Sequence, residues 1–264
     1  MPRFAANLSY LFLERDFLDR FSAAAAAGFT AVEFHFPYAH EAAQIAERAA
    51  AAAIEVVLFN LPPGDWAAGE RGIACHPQRT GEFQDGVAVA AEYARALGVR
   101  RVNCLAGLRP GGIDDGQAWQ TLVDNLRFAA AVLGRAGIAL VLEPINDRDM
   151  PGFFINTTRQ GLALLDAVGS DNLSLQYDIY HAQVMEGDLA HTLSSQLPRI
   201  GHIQIADNPG RHEPGSGEIN FPFLFRHLDR IGYSGWVGCE YKPSADSESS
   251  LGWLQEWRAN AAAG

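Results

Sequence analysis

The sequence predicts a (β/α)₈ barrel of the TIM type, and three observations favour this fold. Short apolar runs rich in β-prone residues alternate eight times with stretches of helical periodicity. The length of 264 residues matches one such barrel. No linker rich in Ser, Pro or Gly divides the chain, so we expect a single domain over residues 1–264. A doubly wound parallel sheet is the alternative that the same alternation allows.

The predicted strands form two sets of four along the chain. The first set spans 3–8, 30–36, 54–60 and 100–105, and the second spans 138–145, 172–178, 200–205 and 235–241. The Ala-rich stretches 23–27 and 49–53 are predicted helix interiors, because Ala has the highest helix propensity. Helical spacing recurs at Leu122, Leu126, Ala129 and Leu133. Five glycines precede strands at the place of a helix C-cap, namely Gly28, Gly98, Gly137, Gly169 and Gly232.

The composition bears on partners and compartment. Acidic residues outnumber basic ones by 31 to 20, a net charge of −11, and no Lys/Arg run offsets it. Such a surface repels nucleic-acid phosphates and anionic lipid. No apolar run reaches the roughly 18–20 residues of a membrane span. Cys75, Cys104 and Cys239 are widely separated and lack CxxC spacing, which fits a reducing compartment. We therefore expect a cytoplasmic protein that binds neither nucleic acid nor membrane.

Polar or acidic residues end all eight predicted strands, where TIM-barrel enzymes place their active sites. These residues are Asn7, Glu33, Asn60, Asn103, Glu143, Asp178, Gln204 and Glu240. Strands buried on both faces are normally apolar, because an unpaired buried charge is costly. Alternate residues share a face, so Val141 predicts the direction of Glu143. In the same way Gly238 predicts the direction of Glu240, and both carboxylates are expected to point toward the barrel axis.

The last four strands therefore bring three carboxylates and one amide together. Carboxylates this close repel each other unless some are protonated or a cation lies among them. The predicted ligands are Glu143, Asp178, Gln204 and Glu240, which all offer oxygen and suit Mg²⁺ or Mn²⁺ better than a structural zinc. The sequence predicts a divalent metal site. Helix capping or pairing with arginine would explain any one of these residues taken alone.

Further candidate residues lie in or near the loops that follow the strands. The long segment 60–79 is either a lid or an ordinary surface or subunit-contact loop. Both a monomer and a homo-oligomer are compatible with the sequence. The segment 207–220 carries Arg211, a fixed cation able to hold an anionic substrate group. His181 follows Asp178 with DxxH spacing, and it would either bind a substrate oxygen or simply begin a helix.

Several motifs resemble those of one enzyme family. They are NLPPGDWAAGERGIACHP at 60–77, EPIN at 143–146, QYDIYHAQ at 176–183, GHIQIADNPGRHEPGSGEIN at 201–220 and GCEYKP at 238–243. Together they resemble the hydroxypyruvate isomerase family, and the similarity runs from the first strand to the last. That family is one of the xylose isomerase-like TIM barrels, which also include the ketose 3-epimerases and endonuclease IV.

The resemblance implies an isomerase that interconverts small 2-oxo and hydroxy sugar acids, hydroxypyruvate and tartronate semialdehyde. By position, Glu143 and Glu240 match the paired catalytic glutamates, and Asp178 and Gln204 complete the metal quartet of the superfamily. Gln204 stands where the epimerases have a histidine. The resemblance further implies that Asp149, His181 and Arg211 contact the substrate.

Alternatives remain open at the level of the sequence. A 2-oxo-tetronate isomerase would use the same chemistry on a four-carbon acid, and a ketose 3-epimerase would fit with a thinner resemblance. Endonuclease IV needs a basic face and more histidines at strand ends than this chain has. A non-catalytic sugar-acid-binding barrel would not need both glutamates at otherwise apolar strand ends.

Overall fold

Strands and helices alternate along the computed structural model, which describes residues 1–262. The strands are β1 Arg3–Asn7, β2 Ala31–Glu33, β3 Glu55–Asn60, β4 Arg101–Cys104, β5 Ala139–Leu142, β6 Leu173–Asp178, β7 Ile200–Ile205 and β8 Trp236–Cys239. The helices are α1 Arg20–Ala26, α2 Ala42–Ala51, α3 Thr80–Leu97, α4 Asp115–Arg135, α5 Thr158–Val168, α6 Ile179–Met185, α7 Leu189–Gln196, α8 Phe221–Arg230 and α9 Gly252–Ala262. Each strand falls within its predicted range.

The strands close into a barrel in chain order, and every pair is parallel. β1 pairs with β8, with Arg3 opposite Trp236 and Ala6 opposite Cys239. This closing pair confirms the (β/α)₈ barrel. It excludes the doubly wound alternative, because an open sheet leaves its two edge strands apart.

The predicted helices are confirmed as well. α4 buries Leu122, Leu126, Ala129 and Leu133, the residues with helical spacing. The five predicted C-cap glycines have φ between 65° and 84°. This left-handed conformation ends a helix at little steric cost only where no Cβ is present. The Ala-rich stretches lie in α1 and α2, apart from their last one or two residues.

The inside of the barrel is apolar toward the start of the strands and polar toward their ends. The apolar cluster consists of Ala5, Ala31, Val57, Leu58, Val141 and Trp236. Gly238 faces the axis, because a Cβ built on it would collide with the carboxylate of Glu33. The missing side chain at 238 leaves room for polar groups, so the C-terminal mouth can hold a dense set of them.

Two expectations from composition concern the membrane and the cysteines. Within residues 1–262 no helix has both the length and the apolar character needed to cross a bilayer. The three cysteines, all inside the described range, are buried free thiols.

Candidate active site

The two predicted catalytic glutamates line one cavity at the C-terminal mouth of the barrel. Glu143 and Glu240 each follow the last residue of their strand, and each is 4% exposed. The cavity measures about 40 Å³. Its remaining lining residues are Tyr10, His35, Asn60, Trp66, Leu105, Ile145, Met150, His181 and Arg211. A space of this size and polarity suits a small polar molecule.

Hydrogen-bond donors surround the carboxylate of Glu240. Its Oε2 accepts from Asn7 Nδ2 at 2.8 Å and from Gln204 Nε2 at 2.6 Å, and His35 Nε2 lies 3.3 Å away. Its Oε1 accepts from Arg211 Nη2 at 2.5 Å. Burial pushes the pKa of Glu240 upward, but His35 and Arg211 outweigh burial and hold this pKa below its ordinary value. The site therefore favours the ionised form of Glu240.

Glu143 has a different environment. Its Oε2 accepts from Asn103 Nδ2 at 3.1 Å and from Gln176 Nε2 at 2.9 Å. Its Oε1 is buried without a hydrogen-bond partner among the described residues. Burial, together with the negative charges of Glu240 and Asp178, raises the pKa of Glu143 well above its ordinary value. One oxygen of Glu143 is thus free to meet a ligand.

Glu143, Asp178 and His181 form a buried group that could hold a metal ion. One donor atom from each lies within 4.8 Å of the other two. His181 Nε2 lies 3.7 Å from Glu143 Oε1 and 3.6 Å from Asp178 Oδ2, beyond ordinary hydrogen-bond distance. Burial raises the pKa of Asp178 to about 7, although the charge of Arg211 opposes this rise. A cation would relieve the repulsion between the two carboxylates.

The neighbours of His181 determine which of its ring nitrogens carries hydrogen. Asn146 accepts from the backbone N–H of Asp149 through Oδ1, which turns Asn146 Nδ2 toward His181 Nδ1 at 2.6 Å. An amide NH₂ only donates, so Nδ1 is the acceptor. Burial and the charge of Arg211 lower the pKa of His181 well below its ordinary value. The neutral ring therefore points its Nε2–H into the site, a geometry that suits a substrate oxygen better than a metal.

Arg211 lies between two of the predicted metal ligands. Besides its bond to Glu240, Arg211 Nη2 donates to Asp178 Oδ2 at 3.3 Å. The guanidinium packs on the rings of Tyr10 and Tyr180, with centroids 4.9 and 5.3 Å from its Cζ. The sequence predicts a cation among the carboxylates, and on the Glu240 side this arginine already supplies one.

The loop 207–220 is shaped around the buried carboxylate of Asp207. That carboxylate accepts four backbone N–H groups, those of Asn208, Gly215, Gly217 and Ile219, at 2.8 to 3.0 Å. Arg211 has a positive φ of 58°, an uncommon conformation for a residue with a Cβ. The closed loop holds the Arg211 backbone in that conformation and aims its side chain at the barrel axis.

The fold is shared with a known family. The chain matches the xylose isomerase-like TIM barrel family over residues 21–257. It belongs to that family. It is 54% identical over 258 residues to a hydroxypyruvate isomerase of Escherichia coli strain K12, covering 98% of this chain and 100% of the relative. It is 50% identical over 257 residues to a 2-oxo-tetronate isomerase of Cupriavidus necator, covering 97% and 99% of the two chains.

A solved structure shows the same likeness in three dimensions. A crystal structure described as AP endonuclease, family 2, from Brucella melitensis superposes with a TM-score of 0.95 at 46% identity. The alignment covers 97% of this chain and 99% of the other. The comparisons confirm the resemblance seen in the motifs. Relatives named as isomerases support an enzyme rather than a binding barrel.

Two predicted residues of this xylose isomerase-like barrel take positions that the sequence alone does not show. Gln204 donates through Nε2 to Glu240 and accepts through Oε1 from Gln176, so its amide nitrogen faces the carboxylate. Asp149 is exposed and lies outside the cavity lining described above. It accepts from Tyr180 Oη at 2.7 Å and from Asn146 Nδ2 at 3.2 Å. Asp149 thereby fixes Tyr180, which packs on Arg211, and Asn146, which contacts His181.

Some residues that contribute to the site are not among the candidates from the sequence, and Gln176, Tyr10 and Trp66 are examples. Gln176 precedes Asp178 by two residues on β6 and shares its face, so strand alternation could have identified it. Tyr10 and Trp66 reach the cavity from loops. Loop residues have no periodic signal, and only coordinates can place them.

Proposed function

We propose that the protein is an isomerase of a small sugar acid, with hydroxypyruvate and tartronate semialdehyde as its substrate pair. The observation that carries the proposal is the convergence of Glu143 and Glu240 on one small cavity. Similarity over nearly the whole chain to the E. coli hydroxypyruvate isomerase supports this substrate. Similarity to the C. necator enzyme supports a four-carbon 2-oxo-tetronate as the alternative.

The reaction moves a carbonyl between neighbouring carbons through an enediol. One glutamate removes a proton from C3 of hydroxypyruvate while the oxygen on C2 takes up a proton. The other glutamate then returns a proton to C2, and the C3 hydroxyl loses its proton to become the aldehyde. Positioned carboxyl groups can perform both transfers and exchange roles in the reverse direction.

The other groups of the cavity would bind the substrate and limit access of water. Arg211 can hold the substrate carboxylate, and the Nε2–H of His181 can donate to a second substrate oxygen. Trp66, Leu105, Ile145 and Met150 supply an apolar wall to the cavity. In a site with little room for water, charge on the developing enediolate interacts more strongly with the fixed donors.

A divalent ion, Mg²⁺ or Mn²⁺, fits the donor set, and the buried unpaired Oε1 of Glu143 supports this assignment. Glu143 and Asp178 would hold it, with Gln204 and Glu240 as the further ligands that the resemblance implies. When bound, the ion would polarise the carbonyl and stabilise negative charge on the substrate oxygens.

Metal removal tests the role of the ion. We expect EDTA treatment and desalting to lower turnover by more than about tenfold, since such stabilisation contributes several kcal/mol. Added Mn²⁺ or Mg²⁺ should restore turnover. Circular dichroism before and after treatment controls for unfolding. Full turnover in the presence of chelator would remove the metal from the proposal.

A conversion assay in D₂O tests the function itself. Hydroxypyruvate and a panel of 2-oxo-tetronates are incubated with the protein, and proton NMR follows both conversion and deuterium uptake at carbon. Conversion of hydroxypyruvate supports the proposal. A strong preference for a 2-oxo-tetronate would instead identify the four-carbon acid as the substrate. Absence of conversion and exchange with every acid contradicts it. A nicking assay on abasic DNA serves as the comparison, because the net charge of −11 disfavours nucleic acid.

A further inference from the structure

A second carboxylate lies beneath Glu240, deeper in the barrel. Glu33 ends β2 and is 0% exposed, as is its neighbour His202 on β7. Glu33 Oε1 accepts from Asn7 Nδ2 at 3.0 Å and from Gln204 Nε2 at 2.7 Å. Glu33 Oε2 lies 2.6 Å from His202 Nε2, which must be the donor because a carboxylate accepts. Glu33 cannot reach a substrate in the cavity.

Two amide groups each bridge Glu33 and Glu240. The Nδ2 group of Asn7 donates to both carboxylates, and so does the Nε2 group of Gln204. Each NH₂ group has two hydrogens and uses one for each glutamate. The position of Glu240 is therefore linked through shared donors to the position of Glu33.

The orientation of Gln204 follows from the same contacts. If its amide were reversed, its oxygen would face two carboxylate oxygens and repel both. With nitrogen toward Glu33 and Glu240, its Oε1 accepts from Gln176 Nε2 at 2.6 Å, and Gln176 Nε2 also donates to Glu143. A continuous chain of hydrogen bonds thus joins Glu240 to Glu143 through two glutamines. We call this chain the amide bridge.

The barrel interior accommodates the Glu33 carboxylate although burial of this charge is energetically unfavourable. A buried carboxylate loses several kcal/mol of solvation unless donors replace the water. Three donors do so here, and at position 238 of β8 only hydrogen fits beside the Glu33 carboxylate. An apolar residue at 33 would fill this space without a charge. The presence of a carboxylate calls for a role other than packing.

We propose that Glu33 is a positioning residue that orients Gln204 and Asn7, and through them Glu240 and the amide bridge. The proposal rests on the proposed function for its effect on turnover. In this role the Nε2 group of Gln204 is the shared donor to Glu33 and Glu240.

Paired substitutions at position 33 test this role. Glu33→Met keeps similar volume but removes the acceptors, so we expect kcat to fall by about 10–100-fold. KM should change by less than about threefold, because the substrate contacts remain. Glu33→Gln keeps one acceptor for Gln204 and Asn7, and its own NH₂ can donate to His202 after a change of tautomer. It should therefore recover most of the kcat lost in Glu33→Met.

The control is Val57→Ala, a packing defect in the apolar cluster of the barrel that makes no bridge contact. It should lower stability and leave kcat near the wild-type value. Wild-type kcat in Glu33→Met would overturn the proposal, and so would a loss confined to KM. Equal losses in Glu33→Met and Glu33→Gln would also overturn it, because acceptor geometry would then not matter.

A second variant keeps the test decisive if Glu33→Met does not fold. Gln204→Met interrupts the amide bridge at its centre and should lower kcat, measured at saturating Mn²⁺, by a similar factor. Wild-type kcat in Gln204→Met would show that the amide bridge has no effect on turnover and would overturn the proposal.

Crystal structures provide a readout that does not depend on activity. If the wild type isomerises neither acid, the proposed function fails, yet the positioning role is still tested. In the better-folded of the two variants, Glu33→Met or Gln204→Met, the Glu240 carboxylate should leave its wild-type rotamer. Unchanged Glu240 geometry would overturn the positioning role.

Discussion

Glu143→Gln and Glu240→Gln should each lower kcat by about 10²–10⁴-fold, the range that a positioned acid or base contributes. Each substitution keeps side-chain size but removes the ability to take a proton from carbon or return one. The amide oxygen can still accept from donors that now face the carboxylate, so the barrel should stay folded. Steady-state kinetics with hydroxypyruvate and a thermal melt would measure the two effects separately.

Deuterium exchange sharpens this first prediction. A variant that lacks the glutamate acting on C3 should lose exchange at that carbon, whereas a variant that lacks the other should still exchange there more slowly. Glu92→Gln, an exposed substitution on α3, is the matched control and should behave like the wild type. Near-normal kcat in either site variant would show that the two-glutamate scheme is wrong.

The fold could be predicted because its signal repeats. Each of the eight buried strands needs an apolar run, and each helix between them needs an apolar stripe. The strand–helix alternation is therefore repeated eight times in the sequence, which makes it easy to recognise. Alternation along each strand also fixes the face. Val141 lies in the interior cluster and a Cβ on Gly238 would meet Glu33, so the direction predicted for their strand partners is supported.

Much of the site could not be predicted, because its geometry depends on contacts between residues that are far apart in the sequence. Strand alternation gives the face of Gln204, but it does not say whether the amide oxygen or nitrogen faces Glu240. That choice depends on three other side chains from different strands. Arg211 lies in a loop whose path depends on the carboxylate of Asp207. No local pattern in the sequence encodes either arrangement.

The site also shows how one barrel mouth can hold four buried carboxylates. Glu33 is paired with amides and a histidine, and Glu240 is paired with amides and a guanidinium. Asp178 shares that guanidinium and accepts the backbone N–H of Tyr180 at 2.8 Å. Glu143 alone retains an oxygen without a partner among the described residues. The unpaired acceptor of this carboxylate cluster is therefore Glu143 Oε1, the atom at which we propose that substrate and metal meet.

Arg211→Lys should lower kcat/KM by about 10²–10³-fold, because loss of a buried charged hydrogen bond costs about 2–5 kcal/mol. Lysine keeps the positive charge, and as an ordinary L-residue it faces the same backbone demand at φ 58°. Its ammonium is not planar and cannot stack on Tyr10 and Tyr180 as guanidinium does. It also cannot donate to Glu240 and Asp178 while presenting a second edge to the substrate.

The effect should divide between the two kinetic constants. A weaker hydrogen bond from residue 211 to Glu240 should lower kcat. Loss of the proposed contact between residue 211 and the substrate carboxylate should raise KM. Arg226→Lys, an exposed substitution on α8, is the control and should leave both constants unchanged. A loss in Arg211→Lys confined to kcat would place the arginine with Glu240 alone and leave substrate binding to His181. Wild-type kinetics in this variant would show that the guanidinium between Asp178 and Glu240 has no part in the reaction.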